Sequence, residues 1–193
     1  MACARTVPDQ LTADPALLTA DGSDEREHVE AHLDHDQEVN MAVRPIPEGY
    51  PRVMPYLSID GAAAAIDFYT TVLDAKERMR MPGPDGSVGH AELEVGDSII
   101  MLADESPDMG NKSPKALGGS PVSIMVYVED VDATFAKALK SGATEVQPLE
   151  NKFYGDRSGS FEDPWGHQWH VSSHIEDVSP EEMDKRLAEL TGG

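Results

Sequence analysis

The chain has 193 residues and a formal net charge of −21, with 36 acidic residues against 15 Lys and Arg residues. This balance argues against nucleic acid and anionic membranes as partners, because phosphate binding requires clustered basic residues. The acidity has two interpretations, ordinary solubility or adaptation to high salt. Cys3 is the single cysteine, and the sequence shows neither an apolar run of membrane length nor a signal-peptide pattern, so we expect a cytoplasmic protein.

Residues 1–45 form an acidic, proline-containing segment with few large apolar side chains, so we expect an extension that is disordered or loosely helical. His28 and His32 are four residues apart and would share one face of a helix, with His35 close by. Three imidazoles are compatible with metal binding. A solvated helix is the simpler interpretation, because the segment has no His-Glu-x-x-His motif and no cysteine joins the histidines.

Regular elements are predicted from residue 50 onward. Hydrophobic alternation, caps and turn residues give the first half a strand over 54–59, a helix over 62–73 with Asp60 as its cap, a turn over 83–86, and strands over 89–95 and 98–103. Residues 104–120 are rich in proline and glycine and predict a linker.

The second half is predicted to repeat this order. It gives a strand over 122–128, a helix from Asp130 to about 141, and strands over 145–149, 158–162 and 168–173, with a turn over 163–166. Ser179 then begins a final helix with a cap, a proline and a capping-box glutamate.

The two halves are related by an internal repeat with an offset of about 70 residues. Residues 56–69 match 125–138, and 96–102 match 166–172. The repeat predicts an α+β fold of two βαβββ modules, about 53–103 and 121–174, within a domain over 50–176. The two modules are expected to enclose one cleft, and residues 177–193 to add a C-terminal helix.

Strand parity separates the side chains of this domain into an aliphatic face and a mixed polar and aromatic face. The aliphatic face includes Trp169, which we expect in the core. The mixed face is interpreted as the lining of a ligand pocket. Its candidate ligand-binding residues are Tyr56, His90, Glu92, Met101, Ser123, Met125, Tyr127 and His170.

A loop segment adds two further candidates, Tyr154 and Arg157. Asp156 and Arg157 beside Tyr154 have two interpretations that the sequence leaves open. They form either a clamp for an anionic ligand group or an ion pair that fixes the loop.

Several motifs together resemble the vicinal oxygen chelate superfamily, which includes glyoxalase I, extradiol dioxygenases, and fosfomycin and bleomycin resistance proteins. The general resemblance lies in the doubled module, in Ala65-x-x-Phe-Tyr69 and in Glu162-Asp-Pro-Trp-Gly-His167. Motifs that resemble the PhnB-like subgroup are Gly89-His-Ala-Glu-Leu93, residues 97–104, Ser113-Pro114, Leu117-Gly-Gly119, residues 127–132, Tyr154-Gly-Asp-Arg157 and residues 174–179. The resemblance covers roughly residues 50–185.

The resemblance also implies where a metal would be held. The four ligand positions of the metal-dependent members fall on Met54, Met101, Ser123 and His170. Of these only His170 suits the divalent ions that the superfamily uses. We therefore expect no cofactor and a metal-free small-molecule-binding protein.

Two alternatives and an expected assembly accompany this interpretation. The first alternative is a metal-dependent lyase, isomerase or dioxygenase with a shifted site formed by His90, Glu92 and His170. The second, a methyltransferase, has no support because no glycine-rich nucleotide loop is present. The superfamily commonly covers its open sheet edges by pairing modules between chains, which implies a homodimer.

Overall fold

The computed structural model describes residues 43–192. The chain divides into two units, Met1–Ala42 and Val43–Gly193, and the structure described below is that of the second. The predicted N-terminal extension, with His28, His32 and His35, thus lies outside the described residues up to position 42. Between residues 43 and 192, no helix combines the length and the apolar character needed to cross a membrane.

Each half of the described chain folds as one strand, one helix and three further strands. The first module contains β1 (Tyr56–Ile59), α1 (Ala62–Val72), β2 (Lys76–Pro82), β3 (Val88–Val95) and β4 (Ser98–Asp104). A linker with the short helix α2 (Pro114–Leu117) leads to the second module. That module contains β5 (Ser123–Tyr127), α3 (Val131–Lys140), β6 (Thr144–Asn151), β7 (Asp156–Glu162) and β8 (Gln168–His174), and α4 (Pro180–Thr191) follows.

The strands form two separate four-stranded sheets with the same topology. The strand orders are β1-β4-β3-β2 and β5-β8-β7-β6. In each sheet the first strand pairs in parallel with the last, and the remaining pairs are antiparallel. This arrangement confirms the predicted α+β fold of two βαβββ modules.

The aliphatic faces of both sheets contribute to one hydrophobic core. Leu57 and Leu102 of the first sheet and Val171 of the second belong to it, together with residues of α1 and α3. The two helices also contact each other. Trp169 is 1 % exposed and lies in this core, as its parity predicted. Burying these apolar side chains is the main favourable contribution to folding.

The start of α1 corrects one prediction. Asp60 does not cap the helix, because the N-cap position is Gly61 and has no side-chain hydrogen bond. Instead, Oδ1 of Asp104, at the end of β4, accepts hydrogen bonds from the backbone N–H groups of Gly61 and Ala62 at 3.0 and 2.8 Å. A carboxylate from a distant strand thus satisfies the free N–H groups of the helix. The predicted caps of α3 and α4, Asp130 and Ser179, are confirmed.

The carboxylate of Asp163, in the turn between β7 and β8, joins the two modules. It is 3 % exposed. Its Oδ2 accepts hydrogen bonds from the Tyr69 hydroxyl of α1 at 2.6 Å and from the Trp169 indole at 3.0 Å. Its Oδ1 accepts from the backbone N–H groups of Trp165 and His167 at 3.0 and 2.9 Å. Four donors therefore compensate the cost of burying one charge.

Replacing this carboxylate should be strongly destabilising. We expect Asp163→Ala to lower the free energy of unfolding by about 3–5 kcal/mol, because it leaves four donors without their acceptor. Tyr69→Phe removes one of the four bonds and should cost about 1–3 kcal/mol. Urea denaturation measures both. The matched control is Asp184→Ala on the exposed surface of α4, and a loss for Asp163→Ala no larger than that of the control would contradict the role assigned to this residue.

Candidate functional site

The polar face of the first sheet is built by strand register. Cross-strand pairs place Tyr56, Met101, Glu92 and Met79 in one row across β1, β4, β3 and β2. Met81 and His90 form the adjacent pair on the same side. We call these six side chains the first polar face. Tyr56 is 50 % exposed, which confirms that this side of the sheet faces away from the helices.

Glu92 is the buried acid of the first polar face. It is 4 % exposed although it belongs to the polar side of β3. The Tyr50 hydroxyl, from the segment before β1, donates to its two oxygens at 3.0 and 2.9 Å. The Arg78 guanidinium lies 3.7 Å from the carboxylate and 4.7 Å from the centre of the Tyr50 ring. The hydrogen bond to Glu92, together with burial, raises the pKa of Tyr50.

His90 connects this carboxylate to Tyr56. Its Nε2 lies 3.5 Å from Oε1 of Glu92, and its Nδ1 lies 3.0 Å from the Tyr56 hydroxyl oxygen. A neutral imidazole carries its proton on one nitrogen, and the nitrogen facing a carboxylate is the one that should hold it. Nδ1 of His90 is then an acceptor. In this tautomer the Tyr56 hydroxyl donates its proton inward, to His90.

The polar face of the second sheet has a related plan. Register places Met125 opposite His170, and Tyr127 opposite Ser172. Ser158 and Ser160 of β7 lie beside these pairs on the same side of the sheet. Together the six side chains form what we call the second polar face: Met125, Tyr127, Ser158, Ser160, His170 and Ser172. Tyr127 and Met125 are 60 % and 48 % exposed. The hydroxyl oxygens of Ser160 and Ser172 are buried and have no hydrogen-bond partner within residues 43–192.

Asp156 is the buried acid of this second sheet, and it is 3 % exposed. The Tyr127 hydroxyl donates to its Oδ2 at 2.6 Å, and Nδ1 of His174 lies 2.8 Å from its Oδ1. Nε2 of His174 lies 3.0 Å from Asp177. Hydrogen bonds to Asp156 and Asp177 raise the pKa of His174, because they stabilise the imidazolium form, in which both ring nitrogens donate.

The sequence motifs do not identify the pairing of Asp156 with Tyr127, and they place Asp156 only beside Arg157. The alternation of β7 places Asp156 on the polar side with Ser158, and this parity could have identified it. His174 was assigned only to a family motif, because the end of β8 was predicted one residue too early.

The remaining candidates lie apart from the two rows. The Arg157 guanidinium donates to both oxygens of Asp132 at 2.8 and 2.6 Å, so Arg157 is held in an ion pair, but its partner is Asp132 of α3 and not the neighbouring Asp156. Ser123 is exposed at the start of β5, opposite Gln168. Tyr154 is 39 % exposed, and its ring packs edge-on against Phe153.

Two further observations concern the space around these faces. A cavity of about 380 Å³ lies between the modules, with residues 95–100 on one wall and Ile124 to Tyr127 on the other. Only one imidazole, that of His170, is present among the four positions Met54, Met101, Ser123 and His170. Within residues 43–192, no group of three or more His, Cys, Asp or Glu side chains is close enough to hold a metal ion. The alternative set of His90, Glu92 and His170 therefore does not form a metal site in this structure.

Comparisons with known proteins identify the family. The family model described as the Glyoxalase/Bleomycin resistance protein/Dioxygenase superfamily matches residues 51–171. The chain belongs to this superfamily. Similar curated proteins include an uncharacterised protein of Mycobacterium tuberculosis (strain ATCC 25618 / H37Rv). It is 44 % identical over 146 residues, which span 74 % of this chain and 86 % of the relative.

Solved structures of other proteins have a similar fold. TioX from Micromonospora sp. ML1 is 28 % identical with a TM-score of 0.51, over 65 % of this chain and 99 % of that protein. A putative 3-demethylubiquinone-9 3-methyltransferase, PhnB protein, from Bacillus cereus is 20 % identical with a TM-score of 0.51, over 64 % and 99 %. At that identity the second likeness concerns the fold alone.

The imidazole of His174 should make stability depend on pH. The folded pKa of His174 is raised above its ordinary value of 6.5. The contribution of His174 to the free energy of unfolding is therefore complete at pH values below 6.5, and it is lost as the pH rises through the raised pKa of the folded state. We expect the stability difference between the wild type and His174→Gln to shrink over that range in urea denaturation. His170→Gln is the control, and a His174→Gln difference that stays constant or grows with pH would contradict the assignment.

Proposed function

We propose that this protein is a PhnB-like member of the superfamily that binds a small organic molecule on its polar faces without a divalent metal. The donor chemistry carries the proposal. Three of the four positions that hold the metal in related enzymes are Met54, Met101 and Ser123, and thioethers and a hydroxyl are poor ligands for zinc, manganese, iron or nickel.

The composition of the faces supports ligand binding over a purely structural role. Each face combines exposed tyrosine and methionine side chains with fixed polar groups, and such mixtures line small-molecule sites. Tyr56, Met125 and Tyr127 are each about half exposed, so these large side chains are available for contact with a ligand. The cavity between residues 95–100 and β5 lies beside Met125 and Tyr127. The cytoplasmic location expected from the sequence remains part of this proposal.

A second copy of the chain is proposed to complete the site. β1 and β5 are edge strands of their sheets, and unpaired edges are normally covered. The exposed tyrosine and methionine side chains lie on these same strands. A homodimer that covers the two edges would also bury part of both polar faces, which is how a shallow face becomes an enclosed pocket.

Metal content decides between the binding-protein interpretation and a metal-dependent enzyme. We expect protein purified without added metal or chelator to carry well below one divalent ion per chain, because one imidazole cannot hold such an ion alone. Elemental analysis measures this. The control variant His28→Ala/His32→Ala removes the other histidine group, outside the described residues. One ion per chain that persists in this control and disappears in His170→Ala would replace the proposal with the enzyme interpretation.

The dimer makes a separate prediction. Analytical ultracentrifugation at micromolar concentration should give twice the chain mass, and Met125→Asp should shift the protein toward the monomer by placing a charge in the apolar contact. Val43→Asp, at a residue that is 93 % exposed, is the matched control and should remain dimeric. A wild-type protein that sediments as a monomer would refute the dimer without affecting the metal result.

A further inference from the structure

The tyrosine hydroxyl groups at the polar faces have hydrogen-bond partners inside the protein. Tyr127 donates to Asp156 at 2.6 Å, and Tyr50 donates to Glu92. The Tyr56 hydroxyl oxygen lies 3.0 Å from Nδ1 of His90, and it donates to that nitrogen in the tautomer that carries its proton on Nε2. A phenol has one proton, so each of these oxygens offers a ligand only its lone pairs.

The buried acids next to the phenols strengthen the acceptor character of the phenol oxygens. Asp156 and Glu92 are 3 % and 4 % exposed. Each carboxylate is therefore separated from the exposed surface by a phenol or imidazole ring. The hydrogen bond to Asp156 raises the pKa of Tyr127, so its proton stays on the phenol. A ligand that approaches the Tyr127 oxygen meets an acceptor backed by negative charge, in a chain whose net charge is already −21.

The basic groups on the same side do not reverse this balance. Arg78 lies against Glu92, and Lys76 is opposite Glu94 in the β2–β3 ladder. His174 is placed between Asp156 and Asp177. The hydroxyl groups of Ser160 and Ser172 are buried, so they are not presented to a ligand. Methionine side chains and, on the second polar face, His170 supply much of the remaining surface, and the methionines are apolar.

We propose that the polar faces select ligands that donate hydrogen bonds from a flat or apolar body, either neutral or cationic, and disfavour anionic ligands. This inference rests on the proposed small-molecule function and adds the chemical class of the ligand. An N–H or O–H group of the ligand pairs with the phenol oxygens. A carboxylate or phosphate would place an acceptor next to the phenol oxygen, which is also an acceptor. Neither group would then have a hydrogen-bond donor, and the affinity would fall.

A matched pair of probes tests the class of ligand directly. Benzamidine and benzoate have nearly the same shape, but the first carries only N–H donors and a positive charge, and the second only acceptors and a negative charge. We expect benzamidine to bind at least about tenfold more tightly than benzoate in NMR titrations of the full-length ¹⁵N-labelled protein, with shifts confined to the polar faces. Benzamide, which is neutral and has donors, should fall between them.

Variants separate the local acceptors from the long-range charge of the protein. The double variant Tyr56→Phe/Tyr127→Phe leaves the net charge unchanged and removes both phenol oxygens, so the preference for benzamidine should fall several-fold. Asp184→Asn on α4 changes the net charge and leaves the phenols intact, so it should keep the preference. Circular dichroism checks that each variant is folded.

The outcomes distinguish the inference from the function on which it rests. Benzoate that binds the faces as tightly as benzamidine, or a preference that is unchanged in the double phenylalanine variant, overturns the proposed ligand class and leaves small-molecule binding intact. If neither benzamidine, benzamide nor benzoate perturbs the polar faces at millimolar concentration, the proposed function fails, and the ligand class fails with it.

Discussion

The buried carboxylate of Asp163 is the constraint on which the architecture depends. It lies in a turn of the second module but accepts the hydroxyl proton of Tyr69 from the helix of the first. Burial and the Asp163 charge raise the pKa of Tyr69 well above its ordinary value, so this hydrogen bond persists across the physiological pH range. Because a buried charge without its donors is costly, the contact fixes α1 against the second module. The aliphatic faces then meet in one core, and the polar faces are left on the other side of each sheet.

The two polar faces show how this fold uses buried acids. Glu92 and Asp156 occupy positions on the polar sides of their sheets, and each is desolvated by the side chains around it. Both are tolerated because hydroxyl and imidazole or guanidinium groups surround them. Each acid holds an aromatic ring in place, so the proposed ligand-binding face is preorganised.

The superfamily scaffold explains the fold but leaves the chemistry to individual side chains. The positions to which the family resemblance assigns metal ligands are Met54, Met101, Ser123 and His170, and of these only His170 has a nitrogen ligand. Methionine at such a position is a flexible apolar contact for a ligand. The same strands can thus present an ion in one protein and an apolar, acceptor-rich surface in another, without a change in topology.

The sequence by itself determined the doubled βαβββ fold, the burial of Trp169 and the exposure of Tyr56 and Tyr127, because these follow from periodicity along short segments. It gave no bounds for β2, because the residues of this strand are exposed and largely charged, and only Met79 and Met81 mark a hydrophobic alternation.

Tertiary structure decided the rest. It assigned the cap of α1 to Asp104 instead of Asp60, paired Tyr127 with Asp156, and connected Tyr69 to Asp163. In each case a carboxylate meets its donor across at least 29 positions of sequence. Local patterns give the face on which a side chain lies, but only the packing of the two modules and the register of their strands determine which donor reaches which acid.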